Sequence, residues 1–358
     1  MFQDFSYLGS YRSIVPLLAP LQGLRLALAS IVIFALLSAF EILVLGRAPL
    51  EEAPARFDFF ALVKTGLALF CSAAIVLGLR PERGQDTRLS GRWRRAALAS
   101  LTIAIGLTLV FALSAEAFYQ LGREDGPIEW TTAGLALLAS LLLIGRALRS
   151  PDRPAAARIA VALLGAVLLV LAGEEISWGQ RLIGLETPDL FAANLQNETN
   201  LHNFASNTVE MVSYLGAFGL LVVLPFSANM AGIGRLGAFA AFVPRPAVAA
   251  VSAPLTAFNY DQWNIFPVQI AFFSTVLIFL LWALGARERS SAGLYIGTAL
   301  LLVVAQASFL YWGEAFRRLH DVTEHKEFFI AAGLLVYAVH IVRRMRKPPP
   351  CPPEQTLA

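Results

Sequence analysis

Residues 159–178 read IAVALLGAVLLVLAGEEISW, in which the uncharged run from Ile159 to Gly173 ends on two adjacent glutamates. A membrane-crossing helix needs roughly 20 mostly apolar residues, and a helix satisfies its own backbone polar groups where no water can. The stretch therefore predicts a transmembrane helix that ends on Glu174 and Glu175. Carboxylates at the edge of a span are costly, so they usually face a polar cavity, a partner or a bound ion.

Similar runs recur along the 358 residues, which are 57% hydrophobic and only 15% charged. The fold class expected is all-α, a polytopic transmembrane helical bundle. Nine spans are clear, at 24–45, 59–79, 97–118, 131–148, 159–178, 209–226, 266–284, 294–312 and 328–342. Residues 1–23 form an N-terminal segment, 24–345 a single membrane domain, and the proline-rich 346–358 a disordered tail.

Arginines set the expected orientation. Arg80, Arg83, Arg88, Arg92, Arg94 and Arg95 lie between the second and third spans, and Arg146, Arg149, Arg153 and Arg158 between the fourth and fifth. The positive-inside rule makes both loops cytoplasmic. The N-terminus is then inside, and Arg343, Arg344 and Arg346 put the C-terminus there too. Equal sides require an even number of crossings, about ten, so a broken or tilted span is expected between Arg235 and Gln262, where Pro244, Pro246 and Pro254 interrupt the run. The net charge of +3 reflects these flanking arginines, and no nucleic-acid partner is expected. Cys71 and Cys351 are too differently placed to pair.

Nineteen of the twenty-five acids, and His202, His320 and His325, fall on the opposite, non-cytoplasmic side. Three clusters there could carry chemistry. In the first, a helix continuing past the membrane edge puts Glu174, Trp178 and Arg181 on one face at i, i+4 and i+7, with Glu175 about 100° away. In the second, the amide-rich loop NLQNETNLHN (194–203) brings Glu198 and His202 to helical spacing. In the third, RRLHDVTEHKE (317–327), Arg317, His320, Glu324 and Glu327 share a helical face, and Asp321 and His325 repeat the i, i+4 interval. Each also has a plain structural reading, as an interfacial anchor, a polar loop cap or an exposed charged helix end. Lys64 is read as pairing with an outer acid or snorkelling, Gln269 and Gln306 as interhelical hydrogen bonders, and Phe258–Phe266 as an interfacial aromatic belt.

The string GEEISWGQR resembles the paired-glutamate motif of the CAAX-protease and bacteriocin-processing membrane family, and Phe316 to His320 fits that family's Phe-x-x-x-His. The spacing departs from the family. Arg181 is six residues after Glu175 rather than four, and Ser206 stands where asparagine should follow His202. The outer histidines also resemble those of alkaline-ceramidase-type hydrolases, which work at a membrane-embedded zinc, but no His-x-x-x-His is present. Neither family is assigned.

The function expected is a metal-dependent enzyme in the membrane, a hydrolase or transferase acting on a lipid or lipid-linked substrate. Glu174, Glu175 and Arg181 would be catalytic, Trp178 and Arg317 would bind substrate, and His202, His320 and Glu324 would hold a divalent metal, zinc or similar. Glu198, Glu210, Glu116, Glu129, Glu327 and His325 are secondary candidates. The alternatives are a proton- or ion-coupled transporter and a membrane scaffold subunit. The expected location is a bacterial inner membrane, with the site facing the periplasm.

Overall fold

The computed structural model describes residues 20–79, 87–191, 198–201, 204, 206–228 and 239–346. Every regular element among them is helical, and nine helices are long and apolar enough to cross a membrane. The chain is a multi-pass integral membrane protein. In order the α-helices are α1 (Pro20–Leu43), α2 (Phe59–Gly78), α3 (Gly91–Leu113), the short α4 (Ala115–Leu121), α5 (Pro127–Leu148), α6 (Ala155–Glu175) and the single turn α7 (Gln180–Ile183). There follow α8 (Ser206–Phe218), the short α9 (Leu224–Ser227) and α10 (Pro246–Ser252), then α11 (Phe266–Gly285), α12 (Arg289–Tyr311) and α13 (Thr323–Arg346). A π-helical turn, Gly219–Val223, joins α8 to α9, so 208–227 crosses as one unit. α1 is the tenth hydrophobic helix, with a shorter apolar stretch at Leu28–Leu43.

The packing order is α1–α2–α11–α12–α3–α10–α13–α5–α6. α6 lies at one margin and turns Ile159, Leu163, Val167 and Val170 outward, an apolar stripe suited to lipid. The broken segment lies at the centre. Of its window Phe239–Thr256, 67% is buried, against 28% of the α6 window. The weak tenth crossing expected from the prolines is thus the core of the bundle, with short α10 followed by a 3₁₀ turn at Ala253–Thr256.

Broken backbone survives inside a membrane protein only where neighbours satisfy its polar groups. Here side chains reach in from the surrounding helices. Ser100 Oγ donates to Val251 O at 2.7 Å, Gln306 Nε2 to Asn259 O at 2.5 Å, Tyr337 OH to Phe242 O at 2.6 Å and Arg344 to Ala240 O at 2.5 Å. Phe258–Phe266, expected as an interfacial belt, follows this segment and is buried throughout. That expectation is corrected: Phe258 packs on Phe309 and Phe329, and Tyr260 on Phe316, so these rings fill the interior.

One other difference is local. The span expected over 97–118 breaks at Ser114, whose φ of −159° leaves the helix and whose Oγ caps α4 by accepting from Ala117 N. Of the two roles expected for Lys64, pairing with an acid is the one observed: it pairs with Glu41 inside the bundle at 2.6 Å.

Candidate functional site

α6 stops at Glu175 because the next residues turn left-handed: φ is +46° at Ser177, +55° at Trp178 and +76° at Gly179. The continuous helix expected through Arg181 is therefore absent, and its i, i+4, i+7 face does not form. The turn folds the Trp178 ring back over Gly173, where an added Cβ would lie 2.7 Å from the indole. Two non-glycine residues at positive φ cost on the order of 1–3 kcal/mol each. Hydrogen bonds offset that cost. Trp178 Nε1 donates to Glu174 Oε1 at 2.8 Å, Leu201 N to Glu174 Oε2 at 2.6 Å, and Ser177 Oγ to Glu198 Oε2 at 2.5 Å. Asn200 Nδ2 donates to the same Glu198 oxygen, Gln180 Oε1 accepts from Thr199 N and Oγ1, and Arg181 pairs with Glu198, Asp125 and Glu124.

This first cluster is a latch that holds 198–201 against the end of α6. Glu174, Glu198, Trp178 and Arg181 are engaged within it. Glu198→Ala removes the acceptor of Ser177, Asn200 and Arg181 together. The expected cost is about 1–3 kcal/mol, read as a lower unfolding midpoint in detergent.

Glu175 points away from the latch and meets α13. One carboxylate oxygen from each of Glu175, Glu324 and Glu327 lies within 4.8 Å of the other two. The two α13 glutamates are an i, i+3 pair on its first turns, where the helix dipole favours negative charge. Glu175 Oε1 and Glu324 Oε2 are buried and have no hydrogen-bond partner among the described residues.

The rest of the third cluster does not join this trio. α13 begins only at Thr323, so Arg317 and His320 precede the helix and the expected common face is lost. Asp321 folds back to accept from Arg317 N and Arg318 N at 2.8 and 3.1 Å, which breaks the register. Arg317 pairs with Glu116 at the surface, and His320 is exposed. Hydrogen bonds from Gln120 and Arg317 hold the Glu116 carboxyl below its usual range. His325 stacks on Phe118 with ring centroids 3.8 Å apart, and its Nδ1 meets Asp321 O rather than the side chain. It is packed as a core residue. Glu129 accepts from Asp125 N at 2.5 Å. His202 lies outside the described residues.

Beside the trio is a network of which sequence reasoning named only Glu210. Lys326, fully buried, donates to Glu210 Oε1 and Gln262 Oε1, both at 2.8 Å, and its ammonium lies 5.1 Å from the Tyr214 ring centre. Gln262 Nε2 donates to Glu210 Oε1 at 2.6 Å and Glu52 Oε1 at 2.9 Å, and Thr323 Oγ1 to Glu210 at 3.2 Å. Burial pushes the Glu52 carboxyl up, against the opposing hydrogen bond from Gln262. The signal for Lys326 was a lone cation inside the acidic string TEHKE at the head of a span. For Gln262 and Asp261 it was polar residues inside an aromatic run.

Asp261 is completely buried, and neither carboxylate oxygen makes a well-formed hydrogen bond among the described residues. Burial pushes its carboxyl up to about 7, with Glu210 and Glu52 adding to the rise and Lys326 and the Gln262 backbone N–H opposing it. The folded protein thus keeps a proton that the unfolded chain releases near pH 4. This contribution to stability is fully present below about pH 4 and is lost as pH rises to about 7. In sodium-free buffer, Asp261→Asn should flatten that fall in the unfolding midpoint. An unchanged pH profile would contradict the assignment.

No family model matches the chain, and no curated protein or solved structure matches it either.

Proposed function

We propose that this protein is a cation-coupled membrane transporter whose coupling site is Glu175, Glu324 and Glu327. The observation that carries the reading is their approach to within 4.8 Å at the junction of α6 and α13. Three ionised carboxylates so close together repel strongly in a half-buried site, so the site favours a proton or a metal cation. It adjoins the Lys326–Glu210 pair through consecutive residues of α13, and that pair touches the buried segment after the broken helix through Gln262. A discontinuous helix beside charged groups is the arrangement that ion-coupled transporters use for substrate and ion binding. By the positive-inside rule, this acidic end faces the periplasm of a bacterial inner membrane.

The test is flux and ion dependence in proteoliposomes across a panel of candidate solutes. Glu175→Gln and Glu324→Gln should each abolish dependence on the driving ion or pH gradient, while the protein remains folded. Gradient-driven uptake that survives both changes would overturn the reading.

The second reading is a metal-dependent enzyme acting on a lipid or lipid-linked substrate, favoured by the position of the trio at a span end beside a strained turn. The trio offers only carboxylate oxygens, which suit magnesium, manganese or calcium better than the zinc expected from sequence. Arg181 and Arg317, expected to serve catalysis and headgroup binding, are already engaged by acids of the protein itself. Stoichiometric magnesium or manganese that disappears in Glu324→Gln, together with turnover of a lipid substrate, would favour the enzyme.

A further inference from the structure

We propose that Asp261, Asn259 and Gln306 form a second cation site, taking one sodium ion in the buried segment that follows the broken helix. All three are at most 2% exposed. Four of their oxygens, Asp261 Oδ1 and Oδ2, Asn259 Oδ1 and Gln306 Oε1, make no well-formed hydrogen bond among the described residues. The amide nitrogens are committed: Gln306 Nε2 donates to Asn259 O at 2.5 Å, and Asn259 Nδ2 to Thr256 O at 3.0 Å and to Tyr214 OH at 3.5 Å. The first of these bonds seats the Gln306 side chain on the segment that carries Asn259 and Asp261. What remains there is a set of buried side-chain oxygens, opposed only weakly by the Gln262 backbone N–H beside Asp261.

Charge accounting points the same way. Lys326 is the buried cation of this neighbourhood, and both of its hydrogen bonds go to Glu210 and Gln262, which leaves the Asp261 carboxylate without a bonded counter-charge. An unpaired carboxylate in such a place costs several kcal/mol, so it takes up a positive charge. The available ligands are one carboxylate and two amide oxygens. Oxygen donors carrying a single negative charge suit a small hard cation of single charge better than a divalent ion or a soft metal. The segment also follows the C-terminal end of α10 and its 3₁₀ turn, where helix carbonyls add partial negative charge. Unwound backbone at the C-terminal end of a half-helix is where membrane transporters coordinate sodium.

This site stands apart from the glutamate trio. It concerns binding rather than transport, so its test is independent of the coupling mechanism. Purified full-length protein in detergent is titrated with sodium chloride at constant ionic strength, with choline as the replacing ion. Binding is read from intrinsic tryptophan emission, since Trp263 lies two residues from Asp261, and from the unfolding midpoint. The titratable groups around Asp261 are Glu52, Glu210 and Lys326, so the titration is run on both sides of pH 7.

A saturable response to sodium, stronger above pH 7 than below it, is expected. Asp261→Asn should abolish it, and Gln306→Met, which keeps the shape and loses the oxygen, should weaken it about tenfold, equivalent to about 1.4 kcal/mol. Retention of the response in Glu175→Gln would place the ion here rather than at the trio. A sodium response undiminished in both Asp261→Asn and Gln306→Met would overturn the proposal, as would no sodium response on either side of pH 7. A pH response that Asp261→Asn removes, with no dependence on sodium, would also overturn it and make Asp261 a proton carrier.

Discussion

Lys326→Met is expected to cost about 3–5 kcal/mol of stability, a large share of what holds a bundle of this kind together. The loss does not come from a missing favourable contact alone. Lys326 Nζ is 2.8 Å from Glu210 Oε1 and 2.8 Å from Gln262 Oε1, with its side chain fully buried and that of Glu210 only 16% exposed. Removing the ammonium leaves the Glu210 carboxylate uncompensated, and leaves Asp261 in a still more negative setting. Because desolvation of the ions offsets much of a buried pair's attraction, removing both charges should hurt far less than removing one. The double change Lys326→Met with Glu210→Gln is therefore expected to recover most of the loss. Its measure is the unfolding midpoint in detergent and the yield of monodisperse protein. If the double variant is as unstable as Lys326→Met alone, the cost lies in packing and not in the orphaned charge. Glu210→Gln by itself strands the opposite charge and should also destabilise.

The spans were legible in the sequence because a helix in lipid has to be apolar along its whole length, and that signal survives any detail of packing. The paired glutamates and Glu324 and Glu327 were legible as costly acids near span ends. Their grouping was not, because it depends on how α6 meets α13. Sequence reasoning put Arg181 on the face of Glu174 by extending an ideal helix through Ser177–Gly179. The only local signal against it was Gly179, since serine and tryptophan seldom adopt positive φ. His320 was joined to Glu324 on the same assumption of an unbroken helix, and the turn at Asp321 separates them. The run Phe258–Phe266 was misread because Trp, Tyr and polar residues look alike at a lipid interface and in a buried polar core. Only the position of α10 in the middle of the bundle decides between the two.

Gly333→Ala should be the most damaging addition of a single methyl group along α13. A Cβ at Gly333 would lie 2.0 Å from Ser252 Oγ, 2.9 Å from Ser252 Cβ and 3.0 Å from Leu221 Cδ1. Ser252 ends α10 and Leu221 lies in the π-helical turn, so the glycine sits where α13 closes on both irregular elements. Small residues permit such close helix approach in membranes, where van der Waals packing carries much of the association energy. Overpacking at a site of this kind costs on the order of 1–3 kcal/mol. The serine Oγ can rotate if it gives up its 2.9 Å bond to Val248 O, but Ser252 Cβ can move only with its backbone. Ser252→Gly removes both of the nearest obstacles and leaves the flexible end of Leu221. Gly333→Ala is thus expected to lower the unfolding midpoint sharply, and addition of Ser252→Gly to restore part of it. Ser252→Gly alone should lower it slightly through the added freedom of the unfolded chain. Displacement of α10 carries Asn259 and Asp261 with it, so Gly333→Ala is also expected to weaken any ligand response reported by Trp263. A variant that keeps both the midpoint and that response would mean α13 and α10 do not close at Gly333.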